Sequence, residues 1–235
     1  MEQFLQKIDV GNLIIWFIVL LFSLSFHEAA HAWTSYRYGD DTGKLQGRIT
    51  LNPIAHIDPI GTILFPLLSS IGGLPLLGWA KPVQTNPLLW RDKTRANIMV
   101  SAAGPLSNFI LAVVAFVIIK ALLMSGILSL NGGYYTLVVA GPGQPAFLTP
   151  LAVFLSVMLM LNVLLGVFNF IPVPPLDGSH ILEEMLPRSM AEAYYQIRPF
   201  GFILLYLLMF LGVFSAILKP VYMAVFFLLG GSNLG

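Results

Sequence analysis

Two imidazoles and a carboxylate lie in FHEAAHAW (26–33), just after a stretch, residues 13–26, that carries no charge. On an α-helix, positions 27 and 31 are one turn apart and share a face, about 6 Å from each other. That spacing lets His27 and His31 bind one tetrahedral zinc ion, with Glu28 beside them as general base on water. A bare HExxH is short enough to arise by chance. Its setting decides the matter, because an ionisable residue in an apolar span costs about 2.5–3.5 kcal/mol on insertion scales and points to function.

Zinc needs at least a third protein ligand and keeps an open position for water. The chain has no cysteine, which excludes thiolate sites and disulfide frameworks. The third ligand is therefore His, Asp or Glu. Charge next breaks into apolar sequence at NFIPVPPLDGSHIL (169–182). Pro172, Pro174 and Pro175 stop the preceding helix, and Gly178 permits a sharp turn. Broken backbone at membrane depth is tolerated only against protein or a water-filled cavity. Asp177, nearest the break, is the preferred ligand, and its alternative role is to cap a helix over 179–186. Of its rivals, Glu183 and Glu184 read as exposed charge on an amphipathic surface helix. His180 reads as a partner of a ligand or as an interfacial residue.

These residues need membrane elements to hold them. The 235 residues are 57% hydrophobic and 10% charged, with a mean hydropathy of +0.83. A soluble domain runs near 25% charged. The composition is that of an all-α polytopic membrane protein embedded in a lipid bilayer. A net charge of +1 offers no basic surface for nucleic acid. The start, MEQFLQKIDVG, sets Lys7 against Glu2 and Asp9 and lacks a small-residue cleavage site, so residues 13–35 read as a retained helix.

A span takes roughly 20 apolar residues, and four long candidates cover about 12–36, 96–123, 150–171 and 200–218. Residues 219–230, after Lys219-Pro220, form a short last span or part of a hairpin. Five to six transmembrane helices are expected in all. Residues 60–72, short and broken by Pro66, read as re-entrant. RITL in 43–53 and KPVQT in 78–87 predict two short strands, each ending at an Asn-Pro turn. Residues 124–149 are a Gly-rich loop without charge. No repeat or separate soluble domain is evident. One membrane-embedded domain is expected over 1–235, with a catalytic core at about 11–185 and C-terminal helices at about 200–231.

For Asp177 to meet the histidines, the first span and 150–171 must run in the same direction, which requires that 60–72 does not cross. This topology puts Arg37, Lys44, Arg48, Lys81, Arg91, Lys93, Arg95, Arg188 and Arg198 on the motif side. Lys7, Lys120 and Lys219 fall opposite. The positive-inside rule then turns the metal end toward the cytoplasm.

Over roughly residues 11–185 the chain resembles the site-2 protease family of intramembrane zinc metalloproteases, in its compact prokaryotic branch without PDZ or CBS domains. The resemblance rests on FHEAAHAW, LNPIAHIDPIGTILFP, GWAKPVQTNP, SAAGPLSN (101–108) and NFIPVPPLDG, in that order. It implies one zinc per chain, held by His27, His31 and Asp177, with Glu28 activating water. It implies that Asn169 steadies the substrate carbonyl or oxyanion, where the plainer role is a helix-end amide. It also implies a membrane-associated β-sheet whose edge takes extended substrate, and a prokaryotic cell membrane as location. The implied substrates are membrane-anchored regulators, usually cut after a first trimming, with control through a membrane partner, an oligomer or substrate presentation. Asn52, His56 and Asp58 belong to the matching stretch as partners of a ligand or as caps. Asn97 and Asn108 flank Gly104-Pro105 as candidate cavity residues, and Gly104 itself reads as a site of close helix approach. The rival readings are a metal-ion transporter or channel, an HExxH membrane protease with a Glu third ligand, and a pseudoprotease. The intact Glu28 argues against the last.

Overall fold

The computed structural model describes residues 10–72, 78–131 and 136–231. Helix α1 (Val10–Arg37) is followed by the single turn α2 (Thr42–Leu45), a 3-10 turn at Pro53–Ala55 and a π-helical stretch at Pro59–Leu64 that runs into α3 (Phe65–Gly72). After a 3-10 turn at Pro87–Leu89 come α4 (Lys93–Met124), β1 (Leu128–Leu130), β2 (Val138–Ala140) and α5 (Leu148–Asn169). The chain continues through α6 (Asp177–Met185), α7 (Arg188–Tyr195), α8 (Gly201–Phe210) and α9 (Val213–Leu229).

The all-α polytopic architecture stands, with four rather than five or six stretches of crossing length among the described residues. These are α1, α4, α5 and Arg188–Phe210, while Pro59–Ser69 and α9 are apolar but shorter. The apolar run after residue 200 does not break at Lys219-Pro220, since α9 continues through Pro220. It breaks at Gly212, whose φ of 75° lies in the left-handed region that glycine enters without a steric penalty.

Backbone proximity divides the chain into two compact units. One comprises the chain up to Leu20, Phe109–Leu165 and the chain from Leu208; the other comprises Leu21–Asn108 and Gly166–Leu207. In the first, β1 and β2 pair antiparallel with Leu128 opposite Ala140. The 124–149 stretch, expected as a loop, thus holds the sheet. Lys120 Nζ bonds the carbonyls of Leu228 and Leu229 at the end of α9, both at 3.1 Å. Such a cation satisfies orphan carbonyls at a helix C-terminus.

The second unit holds both sequence motifs. RITL and KPVQT are not strands there. Their backbone groups are spent elsewhere: Lys81 N–H donates to His56 O at 2.9 Å, Val83 N–H to Glu28 Oε2 at 2.8 Å, and Pro82 has no N–H to give. The buried Arg48 guanidinium takes the carbonyls of Ala55, Lys81 and Pro82. The N–H groups of Lys81 and Val83 and the carbonyls of Lys81 and Pro82 are thus engaged outside any ladder. Residues 78–87 form an extended strap instead.

The strap is pinned at its far end by Asp40, which is fully buried. Asp40 Oδ2 accepts from Ser35 Oγ and Asn86 N–H, each at 2.8 Å, and Oδ1 from Thr42 N–H at 3.0 Å and Thr42 Oγ1 at 2.5 Å. Trp90 Nε1 donates to Ser35 Oγ at 2.8 Å and packs with Ala96, Val100 and Tyr38. Burial alone would push the Asp40 carboxyl up. The bonds from Thr42, Asn86 and Ser35 outweigh it and hold the group below the usual carboxylate range. A carboxylate so depressed contributes stability that is complete above its unfolded value of about 3.9 and is lost as pH falls through the lower folded value. Asp40→Asn should lower the unfolding free energy at pH 7 by about 2 kcal/mol or more, since it removes charge-assisted bonds. Thermal melts of wild type and variant should converge at acid pH; a constant gap down to pH 2 would contradict the assignment.

Candidate metal centre

His27 and His31 stand on the C-terminal part of α1, one turn apart, and both are buried. Their outer nitrogens are committed. His27 Nδ1 lies 2.7 Å from Asn108 Oδ1, and Asn108 Nδ2 donates to Ser23 O at 3.3 Å, which fixes the amide's orientation. His31 Nδ1 lies 2.6 Å from the Val100 carbonyl. A carbonyl oxygen only accepts, so each Nδ1 carries the proton and each Nε2 presents a bare lone pair. Partners of this kind orient ligating histidines and raise their basicity.

The two Nε2 atoms are 3.0 Å apart. Asp177 Oδ2 completes a triangle, 3.1 Å from His27 Nε2 and 3.4 Å from His31 Nε2. Asp177 is the first residue of α6, and its Oδ2 turns to the histidines. The preceding break brings it there, and Gly178 serves that approach rather than a turn: a Cβ at 178 would fall 2.6 Å from the Phe170 carbonyl carbon and 2.8 Å from Ile171 O.

Three acceptor atoms therefore converge, with no donor hydrogen among them in this tautomer. Asp177 Oδ2 is buried without a hydrogen-bond donor. Lone pairs this close repel unless a cation lies between them. A tetrahedral site with ligand distances of about 2.0–2.1 Å has edges of about 3.3 Å, close to those of this triangle. Gly104 on α4 completes the fit: a Cβ there would lie 2.6 Å from His27 Nε2 and closer still to His31 Nε2. Among the described residues no other group of three His, Asp or Glu side chains gathers in this way.

Glu28 is buried beside the pair, and the strap holds its Oε2 through Val83 N–H. Asn169 is the last residue of α5 and half-buried. The rivals for third ligand point elsewhere: Glu183 pairs with Arg198, and Glu184 accepts from Asn97 Nδ2 at 2.8 Å. Asn52 and Asp58 prove to be caps, accepting from Ile54 N–H and from Ile60 and Gly61 N–H. His56 Nε2 donates to Thr50 O at 2.9 Å. Sequence reasoning placed Asn108 near the site without its role and missed the Val100 carbonyl and Val83 N–H. Main-chain partners leave no trace in residue type.

The profile of peptidase family M50 matches residues 15–211. Over 203 residues the chain is 37% identical to a Bacillus subtilis (strain 168) protein named "Putative zinc metalloprotease YwhC", covering 86% of this chain and 83% of that one. It is 31% identical over 201 residues to "Putative zinc metalloprotease Rip2" of Mycolicibacterium smegmatis, covering 85% and 68%. A more distant relative, "Zinc metalloprotease MJ0392" of Methanocaldococcus jannaschii, is 25% identical over 183 residues, covering 77% of this chain and 38% of that one. No solved structure matches the chain.

Gly104→Ala should improve intrinsic helix propensity by about 1 kcal/mol while filling the space between the imidazoles. The expected result is a helical protein by circular dichroism whose zinc content falls at least tenfold. Zinc at the wild-type level would mean that the rings yield and that the gap is not needed for the ion.

Proposed function

This chain belongs to peptidase family M50 and is an integral membrane zinc metalloprotease, and on that premise we propose that it cleaves peptide bonds in or near transmembrane segments of membrane-anchored regulatory proteins. In this reading His27, His31 and Asp177 hold one zinc ion, and Glu28 is the general base. The observation that carries it is the triangle of three buried acceptors with no hydrogen to share.

Bound zinc supplies Lewis-acid polarisation and lowers the pKa of water to about 7. The rest falls to the chain. Asn108 and the Val100 carbonyl keep both imidazoles in the ligating tautomer. Val83 N–H holds one oxygen of Glu28 and leaves Oε1 to take a proton from water and return it to the leaving amine. Asn169, at the end of α5, offers its amide to the substrate carbonyl as negative charge builds there. A helical substrate hides its carbonyls in its own hydrogen bonds, so cleavage follows local unwinding, and helix-breaking residues in a substrate span favour it.

The basic residues around the motif end support an orientation with the metal centre toward the cytoplasm of a prokaryotic cell. Arg48 and Arg198 count least toward that argument, because the first is buried against carbonyls and the second is paired with Glu183.

Glu28→Gln should retain about one zinc per chain and a wild-type melting curve, and lose activity by about 10²–10⁴-fold, the range attributed to a positioned acid–base group. A single-span reporter substrate in proteoliposomes gives the rate, and metal analysis gives occupancy. Full activity in that variant would sink the assignment.

A further inference from the structure

His180 is the ionisable residue nearest the metal triangle along α6 to which the reading above gives no work. It follows Asp177 by three residues, so the two side chains lie on neighbouring positions of one helix face. Its ring is half-buried. Nδ1 stands 3.2 Å from Arg198 Nη2. A guanidinium has only donors and stays protonated, so Nδ1 accepts and the ring proton sits on Nε2.

Arg198 is itself held in place. It bonds the Glu183 carboxylate, one turn from His180 on α6, and stacks over the Tyr195 ring with 4.8 Å to the centroid. The histidine tautomer is thus set from outside the metal triangle. Burial first, then Arg198, lower the His180 pKa against the opposing pull of Asp177 and Glu183, which agrees with a neutral ring. No acceptor for Nε2–H is found among the described residues. A neutral N–H donor with a fixed tautomer therefore stands one helical turn along α6 from the carboxylate of the triangle.

We propose that His180 donates its Nε2–H to the scissile carbonyl oxygen as that oxygen gains negative charge, acting with Asn169. Arg198 and Glu183 are positioning residues that set its tautomer. The proposal rests on the peptidase reading. It makes His180 a group that touches substrate, where the simpler alternative is an acceptor that only braces Arg198.

Two substitutions separate these roles because they keep opposite halves of the ring. His180→Gln places an amide N–H near the Nε2 position, and His180→Asn places an amide oxygen near the Nδ1 position. With the reporter substrate in proteoliposomes, His180→Gln should hold kcat within about tenfold of wild type. His180→Asn should lose about 10²–10³-fold, as when one oxyanion donor is removed, with KM changed less than about threefold. Both should keep about one zinc per chain and the wild-type melting temperature.

The reverse ranking would assign His180 to bracing Arg198 and overturn the proposal, as would full kcat in both variants or loss of zinc in either. Should neither variant fold, Arg198→Leu leaves His180 in place and frees its tautomer; kcat should drop about tenfold, and an unchanged kcat would be fatal to the idea. Glu28→Gln, run alongside, keeps the two layers apart: activity surviving there removes the peptidase premise, whereas its loss there with His180→Asn unimpaired removes only the donor.

Discussion

Three lone pairs within 3.4 Å of one another, with no hydrogen to share, are the constraint around which the site is arranged. The arrangement is stable only with positive charge at its centre, and it persists because each contributor is fixed from behind. Asn108 and the Val100 carbonyl hold the imidazoles, and the helix break ahead of α6 delivers the carboxylate. Gly104 withholds a side chain where any would intrude. Polar groups in an apolar span are costly in lipid, and here Asn108, the Val100 carbonyl and Val83 N–H satisfy the outer sides of His27, His31 and Glu28.

The strap extends the same logic to Glu28. Its backbone serves other groups instead of building a sheet: Val83 N–H goes to Glu28, Lys81 and Pro82 carbonyls to Arg48, and Asn86 N–H to Asp40. The buried Asp40 carboxylate thus belongs to the support of Glu28 without approaching it. A continuous set of bonds runs from the end of α1, through the strap, and back to α1 at Glu28.

The two charged motifs were legible because ionisable residues in apolar sequence are rare enough to stand out, and HExxH carries its geometry in its spacing. Asp177 could be preferred from its place beside three prolines. What the sequence concealed was the partner set. The Val100 carbonyl and Val83 N–H are main-chain atoms, and Asn108 lies about 80 positions from the histidine it orients. The strands were misplaced for a related reason. RITL and KPVQT have strand-like residues, but in KPVQT side chains from distant positions claim the hydrogen bonds, while the short LSL and VVA segments pair inside a Gly-rich stretch. Near the C-terminus a proline looked like the breaker, yet the helix tolerates Pro220 and yields at Gly212.

The join between α1 and α6 also bears on the energetics of the chain. A cation shared by His31 and Asp177, as proposed, would close a loop of roughly 150 residues that contains all of α4 and α5. The entropy removed from the unfolded chain by such a closure grows only logarithmically with loop length, and for a covalent link across about 100 residues it is worth about 4.7 kcal/mol. A coordination bond is reversible, so that contribution scales with how firmly the ion is held. On the proposed ligand set the metal centre would then also fasten α1 to α6, and metal supply would bear on the stability of the fold as well as on its chemistry.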